Sequence, residues 1–285
     1  MEWISKKSIL IVGLGLMGGS YARALRRLGF HIVAMDTNED SIQYAMEQGL
    51  VDQGYTQVEP DAVRNADAII FALYPGVFRE WVREYQHLFK PGLMMTDVTG
   101  VKSGIVYEIQ GLLRPDVEFI AAHPMAGREV YGVRNSDDRI FRDANYIVVP
   151  TSRNTPEAIE WCKSLGRLLG FRRISELSPE AHDEMIGFVS QLTHCIAVSL
   201  MTCSNNTHLV DYTGDSFRDL TRIARINDAM WSELFMMNRE PLLRQMDLFL
   251  DEMAGFRKML ADGDVEGMRE KMRLSTQRRA LFDKK

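Results

Sequence analysis

The 285-residue sequence predicts a doubly wound, parallel α/β sheet followed by an all-helical segment. Three observations carry this reading. The length suits two domains at roughly 150 residues each. The first half alternates short apolar runs with helical patterns, and most of those runs lack the polar–apolar alternation of a half-exposed sheet. Beyond about residue 176 no strand pattern recurs. The expected boundary therefore lies there, with domains at residues 1–176 and 177–285.

The strands come first. Residues 8–13, 31–36, 68–72, 93–97, 118–122 and 145–149 are short and rich in Ile, Val, Phe and Leu. Strands buried on both faces read this way, which implies helices covering both faces of the sheet. Between them, residues 77–88 and 103–113 carry helical patterns. Pro150 ends the sixth run, a helix is expected over 155–169, and residues 171–174 offer a last short strand. Ser178, Pro179 and Glu180 then form a helix start, with a capping hydroxyl, a proline in first position and an acid in the first turn. Met246, Phe249, Leu250, Met253, Phe256 and Leu260 recur at steps of three and four, which is one helix face.

Composition narrows the function. Apolar residues make up 46% and charged residues 26%, values of an ordinary globular protein. The net charge of −5 divides into −4 and −1 when the chain is split at residue 150. Neither half is basic, so a nucleic-acid partner is not expected. Cys162, Cys195 and Cys203 are odd in number and lack metal-ligand spacing, which fits free thiols in a reducing compartment and no metal. The N-terminus lacks the charged-then-apolar order of a signal peptide. Residues 185–210 contain no Asp, Glu, Lys or Arg. That length could span a bilayer. Its many Ser, Thr, Asn, Gln and His side chains would be costly there, so a helix buried in protein is expected.

The first strand runs into Gly13-Leu14-Gly15-Leu16-Met17-Gly18-Gly19, which opens a helix. Gly13 permits a tight turn, Gly15 lets a pyrophosphate approach the backbone, and Gly18 lets helix and strand pack closely. The amides of Leu16 and Met17 at the helix start suit phosphate oxygens. Asp36, 18 residues after Gly18, ends the second strand, where an acid can accept from both ribose hydroxyls or simply cap the next helix. Thr37 and Asn38 offer no charge for a 2′-phosphate. The reading is a Rossmann-type domain binding NAD rather than NADP.

Two further segments follow strands: Thr96-Asp97-Val98-Thr99-Gly100-Val101-Lys102-Ser103 and Ala122-His123-Pro124-Met125-Ala126-Gly127-Arg128-Glu129. The second half adds His182-Asp183, Ser190 to His194, and Phe217-Arg218-Asp219-Leu220-Thr221-Arg222-Ile223-Ala224 with Met230-Trp231. Together with the glycine loop these resemble the prephenate/arogenate dehydrogenase family over nearly the whole chain. The resemblance implies NAD-dependent oxidative decarboxylation of a cyclohexadienol in tyrosine biosynthesis, in the cytoplasm. It implies His123 as the catalytic histidine, Arg222 as the grip on a substrate carboxylate and His194 as a substrate-site histidine. Glu129 falls in the corresponding loop, and Thr99 is a candidate hydrogen-bonding group. His182 and Asp183 are expected to brace the domain interface, and Lys102 to be structural or on the cofactor side. One departure stands out: many relatives carry a serine before the Val-Lys pair, and this chain has Gly100.

The resemblance is to a bare catalytic unit without a regulatory domain. Other readings are a dehydrogenase for a 4-amino analogue, a β-hydroxyacid dehydrogenase, and an NAD-sensing regulator without turnover. The uncharged run contains no lysine, against the second, and His123 and Arg222 are both present, against the third. A helix apolar around its circumference must be buried around its circumference. A homodimer through the helical domain would bury it, as the resemblance also implies.

Overall fold

The computed structural model describes residue 3 and residues 7–128, 130–205 and 207–283. They form two compact units, residues 1–238 and 239–285.

The first unit begins as a repeated strand–helix unit. In order come β1 (Ser8–Val12), α1 (Leu16–Arg27), β2 (His31–Met35), α2 (Glu39–Glu47), β3 (Gln53–Tyr55), α3 (Pro60–Asn65), β4 (Ala68–Phe71), α4 (Pro75–Tyr85), β5 (Met94–Asp97), α5 (Ser103–Leu112) and β6 (Glu118–Phe119). They build one six-stranded parallel sheet in the order β3-β2-β1-β4-β5-β6. The order reverses between β1 and β4, and open α/β sheets bind ligands at the carboxyl ends of strands beside such a switch point. Ile9, Leu10 and Ile11 of β1 and Ile69 and Ile70 of β4 are wholly buried, as two covered faces require.

The expected strand at 118–122 is two strands in two sheets. The parallel ladder stops after Phe119, and the chain resumes as β7 (Ala121–Pro124), which pairs antiparallel with β8 (Asn145–Val149). The physical cause is a side chain in place of a ladder. Asp97 Oδ1 accepts the Ala122 N–H at 3.1 Å, and Lys102 Nζ donates to the Ala122 carbonyl at 2.6 Å. After α6 (Pro156–Leu169), β9 (Arg173–Glu176) lies parallel to β8 and completes a three-stranded sheet. This strand sits two residues later than 171–174, because Gly170 closes α6 in a left-handed cap at φ 84° and Phe171 packs into the core. Strand β3, Gln-Gly-Tyr at the sheet edge, has no branched apolar run to announce it.

Thereafter the described residues are helical. Ser178 caps α7 (Pro179–Ile186), a π-helical turn occupies Gly187–Leu192, and α8 (Thr193–Thr202) follows. The uncharged run is therefore not one helix to residue 210: the helix stops at Thr202, and a 3₁₀ stretch covers Thr207–Tyr212. Pro179–Thr202 is long and apolar enough to cross a membrane, with a mean hydropathy of 1.4. The run is also not buried all round within one chain: Phe188 is 56% and Val210 72% exposed. The unit closes with α9 (Asp215–Thr221), a 3₁₀ turn at Arg222–Ala224, and α10 (Asp228–Met237).

The second unit is the helix pair α11 (Arg239–Asp262) and α12 (Val265–Ala280), tied by a Lys271–Glu252 ion pair. The expected apolar face lies on α11, and Leu250, Met253 and Leu260 stay exposed.

Candidate active site

The glycine loop has the conformation its spacing predicts. Gly13 takes φ +98°, and a Cβ there would stand 2.4 Å from the Ala72 carbonyl oxygen. A Cβ on Gly18 would stand 1.9 Å from the Gly13 oxygen, so helix and turn meet without room for a side chain. Gly15 is different, with nothing within 4 Å of its Cβ position. Gly15 is the N-cap of α1, and no side chain caps that helix. Open backbone at an uncapped helix start, where Leu16 and Met17 begin the first turn, fits a pyrophosphate.

Asp36 stands at the end of β2. Its Oδ2 accepts the Leu14 N–H at 2.6 Å and its Oδ1 accepts the Asn38 N–H at 2.8 Å. The cap of α2 is Asn38, whose Oδ1 accepts from Ser41 N. Asp36 therefore fastens the glycine loop to β2 rather than capping a helix. A carboxylate offers about four acceptor positions, so capacity remains for ribose hydroxyls.

A cavity of about 560 Å³ opens between the carboxyl end of the sheet and the helical segment. Met17 of α1, Gly100 after β5 and His123 of β7 line one side, and His194, Arg222 and Trp231 line another. The structure thus brings Met17, His123, His194 and Arg222 together from segments far apart in sequence. The His194 Nδ1 bonds the Ser190 carbonyl at 2.8 Å, and the ring lies 3.7 Å from the Trp231 ring. The π-turn supports this face. Buried Gln191 donates to the Leu234 carbonyl at 3.0 Å and accepts from Asn238 Nδ2 at 2.6 Å, tying α10 to the turn.

Thr99 is a correction. It does not line the cavity; it is 5% exposed, with its hydroxyl bonded to Asp97 Oδ2 and receiving Lys102 Nζ at 3.2 Å. The hydroxyl is drawn inward because Asp97 and Lys102, both wholly buried, need every partner they can reach. Glu129 lies outside the described residues.

Around His123 the structure assembles groups that the spacing did not reveal. The Lys102 ammonium makes three contacts: Asp97 Oδ2 at 2.7 Å, Thr99 Oγ1 at 3.2 Å and the Ala122 carbonyl at 2.6 Å. Those use its three donors. Lys102 and Asp97 therefore hold both backbone groups of Ala122, the residue before His123. Burial lowers the Lys102 pKa, opposed by Asp97.

His123 Nδ1 lies 2.9 Å from His182 Nε2, and His182 Nδ1 lies 2.8 Å from Asp183 Oδ1. Asp183 also accepts the N–H groups of Lys102 and Ser103, each at 2.8 Å, at the start of α5. His182 is wholly buried and Asp183 is 2% exposed. Burial raises the Asp183 carboxyl, but hydrogen bonds from His182 and the two amides outweigh it and leave its pKa below the ordinary value. Burial, then His182 and then Lys102 hold His123 well below the ordinary histidine range. His182 is also lowered, chiefly by burial and against Asp183. A neutral imidazole at the cavity wall is suited to accept a proton from an alcohol. A Cβ on Gly100 would sit 3.9 Å from His123 Nε2 and 3.7 Å from Leu234 Cδ1, so the departure from serine leaves that side of the ring to the cavity.

The comparisons with known proteins cover both parts of the chain. Residues 21–174 match the family described as "Prephenate dehydrogenase, nucleotide-binding domain", and residues 178–274 match "Prephenate dehydrogenase, dimerization domain". A prephenate dehydrogenase of Lactococcus lactis is 31% identical over 263 residues, covering 87% of this chain and 70% of that protein. A cyclohexadienyl dehydrogenase of Zymomonas mobilis is 27% identical over 281 residues, covering 96% of this chain and 95% of the other. A crystal structure of prephenate dehydrogenase from Aquifex aeolicus, bound to hydroxyphenyl propionate and NAD+, superposes with a TM-score of 0.90 at 28% identity, covering 99% of this chain and all of that one.

Proposed function

The chain belongs to the prephenate dehydrogenase family, and from that premise we propose that prephenate is its substrate, with residues of the described cavity in named roles. The enzyme is an NAD-dependent oxidoreductase of tyrosine biosynthesis. Family membership displaces the β-hydroxyacid dehydrogenase and sensor readings.

The observation that favours prephenate is the charge of the cavity. Arg128, Arg222 and Arg225 line it, and no Asp or Glu does among the described residues. Prephenate carries a ring carboxylate and a keto-acid side chain, two anionic groups for planar guanidinium donors. Arogenate and the 4-amino analogue each add an ammonium, for which the described lining offers no carboxylate.

The sheet switch point and the open helix start support a reading in which NAD lies along the glycine loop, with Gly13, Gly15, Leu16, Met17 and Gly18 at the pyrophosphate and Asp36 at the adenosine ribose. When bound, NAD supplies the hydride acceptor. His123 takes the proton of the carbinol hydroxyl on Nε2 as the hydride leaves the same carbon. The bond to the ring carboxylate breaks, its electron pair completes the aromatic ring, and CO₂ departs. The borrowed proton returns to the phenol oxygen, so no net proton is released. Arg222 grips a carboxylate, and His194, oriented by the Ser190 carbonyl and Trp231, bounds the ring. Glu129, adjacent in sequence to lining residue Arg128, keeps its place as a candidate for the pocket rim.

The division at residue 176, with cofactor before it and substrate and dimer contacts after it, belongs to the same proposal. The exposed apolar residues of the helical part support a homodimer through that part, as does the dimerization-domain match. Cys162, Cys195 and Cys203 are free thiols, which suits the cytoplasm. The substrate claim is tested by comparing kcat/KM for prephenate, arogenate and the amino analogue. Prephenate should lead by at least about 10-fold, the size of one unpaired polar group; parity or an arogenate preference would overturn it.

A further inference from the structure

We propose that His182 and Asp183 are positioning residues that fix the tautomer of His123, through a closed His123–His182–Asp183 chain that lends charge stabilisation to the catalytic imidazole without exporting its proton. The inference rests on the reading of His123 as the base. Donor and acceptor chemistry fixes the direction of each hydrogen bond from Asp183 to His123.

Asp183 accepts from two backbone N–H groups, which can only donate. The same carboxylate lies 2.8 Å from His182 Nδ1, so that nitrogen carries the hydrogen and donates it. A neutral His182 then has its lone pair on Nε2, 2.9 Å from His123 Nδ1. His123 must donate from Nδ1, which leaves the lone pair on Nε2. That is the nitrogen beside Gly100, on the cavity side. One tautomer of the base is selected by the amides of Lys102 and Ser103, 21 and 20 residues before His123, because they orient Asp183.

The chain is a dead end. Among the described residues the Asp183 carboxylate meets, besides His182, the amides of Lys102 and Ser103; His182 is wholly buried, and the other charges against it are Lys102 and Asp97, which are also wholly buried and pair with each other. A proton taken by His123 has no route to water along this line. The reaction needs none, since the proton goes back to the phenol oxygen. The chain serves to hold the ring, and to place the Asp183 carboxylate where it eases the brief positive charge on His123.

Two substitutions and one spectrum test this. His182→Phe removes the acceptor while keeping an aromatic ring. It should lower kcat by about 10- to 100-fold and leave the KM for NAD within about 2-fold. His182→Gln keeps an acceptor oxygen and should recover most of that loss. In ¹⁵N imidazole spectra of the protein without substrate, His123 should show hydrogen on Nδ1 in the native chain and in His182→Gln, and lose that single tautomer in His182→Phe. Circular dichroism and NAD binding establish that the variants fold. A native spectrum with hydrogen on His123 Nε2 would overturn the proposal, as would a His182→Phe enzyme within 2-fold of native kcat. The spectrum needs no substrate, so a wrong substrate reading and a wrong relay give different failures.

Discussion

Replacing Lys102 by methionine removes the cation that holds β7 in place, and the structure gives the size of the effect. Lys102 and Asp97 are both 0% exposed and 2.7 Å apart. Breaking a buried pair by deleting one partner costs about 3–5 kcal/mol, because a charge stays behind without its counterion. The stranded Asp97 keeps the Thr99 amide and the Ala122 amide, at 3.0 and 3.1 Å, which reduces the loss. The Ala122 carbonyl loses its donor, for about 1 kcal/mol or more. A total near 4 kcal/mol is expected. Urea unfolding followed by tryptophan fluorescence, with enzyme concentration fixed, should show the midpoint falling by at least about 1 M if m is about 3 kcal/mol/M. Adding Asp97→Asn should recover about half of the loss, since no charge then remains buried alone. A single variant within about 1 kcal/mol of native would mean that the pair is not what holds the strand break beside His123.

The remaining expectations concern the site itself. His123→Asn should retain NAD affinity and lose about 10²-fold or more in kcat, measured at saturating prephenate. Because His123 is needed neutral and its pKa is depressed, kcat/KM should stay level as pH falls through 6.5 and decline only at lower pH; a decline centred at or above 6.5 would contradict the burial argument. Arg222→Gln should raise the KM for prephenate by about 10- to 100-fold, the cost of a lost charge-assisted contact, with the KM for NAD unchanged. Gly18→Ala should abolish NAD binding or folding, since its methyl would stand 1.9 Å from the Gly13 oxygen, whereas Gly15→Ala should fold and bind NAD weakly.

Most of the sheet was legible, and the reason is local. A strand buried on both faces has to be largely apolar; β4 is so throughout, β1, β2 and β8 are so after their first residue, and β5 departs from the rule at the buried Thr96 and Asp97. The glycine loop was legible because Gly13 and Gly18 answer steric demands that no other residue meets, while Gly15 leaves the backbone open. The break between β6 and β7 was not, because it depends on Asp97 and Lys102 reaching across to Ala122, a contact 20 and 25 residues away in sequence. Thr99 was misplaced for the same reason: from sequence its hydroxyl could face either the cavity or the buried pair. The helix from 185 to 210 was overextended because absence of charge marks burial or contact, not helix length. His182 and Asp183 carried a hint as adjacent His-Asp on a helix start, yet only folding brings that pair to His123, 59 residues away.

One reaction tests the assignment to prephenate most directly. Purified enzyme mixed with NAD and prephenate should give reduced nicotinamide, followed by absorbance, with one CO₂ and one hydroxyphenyl keto acid formed for each hydride transferred. Reduction of the nicotinamide without loss of CO₂, or no reduction with either prephenate or arogenate, would contradict it.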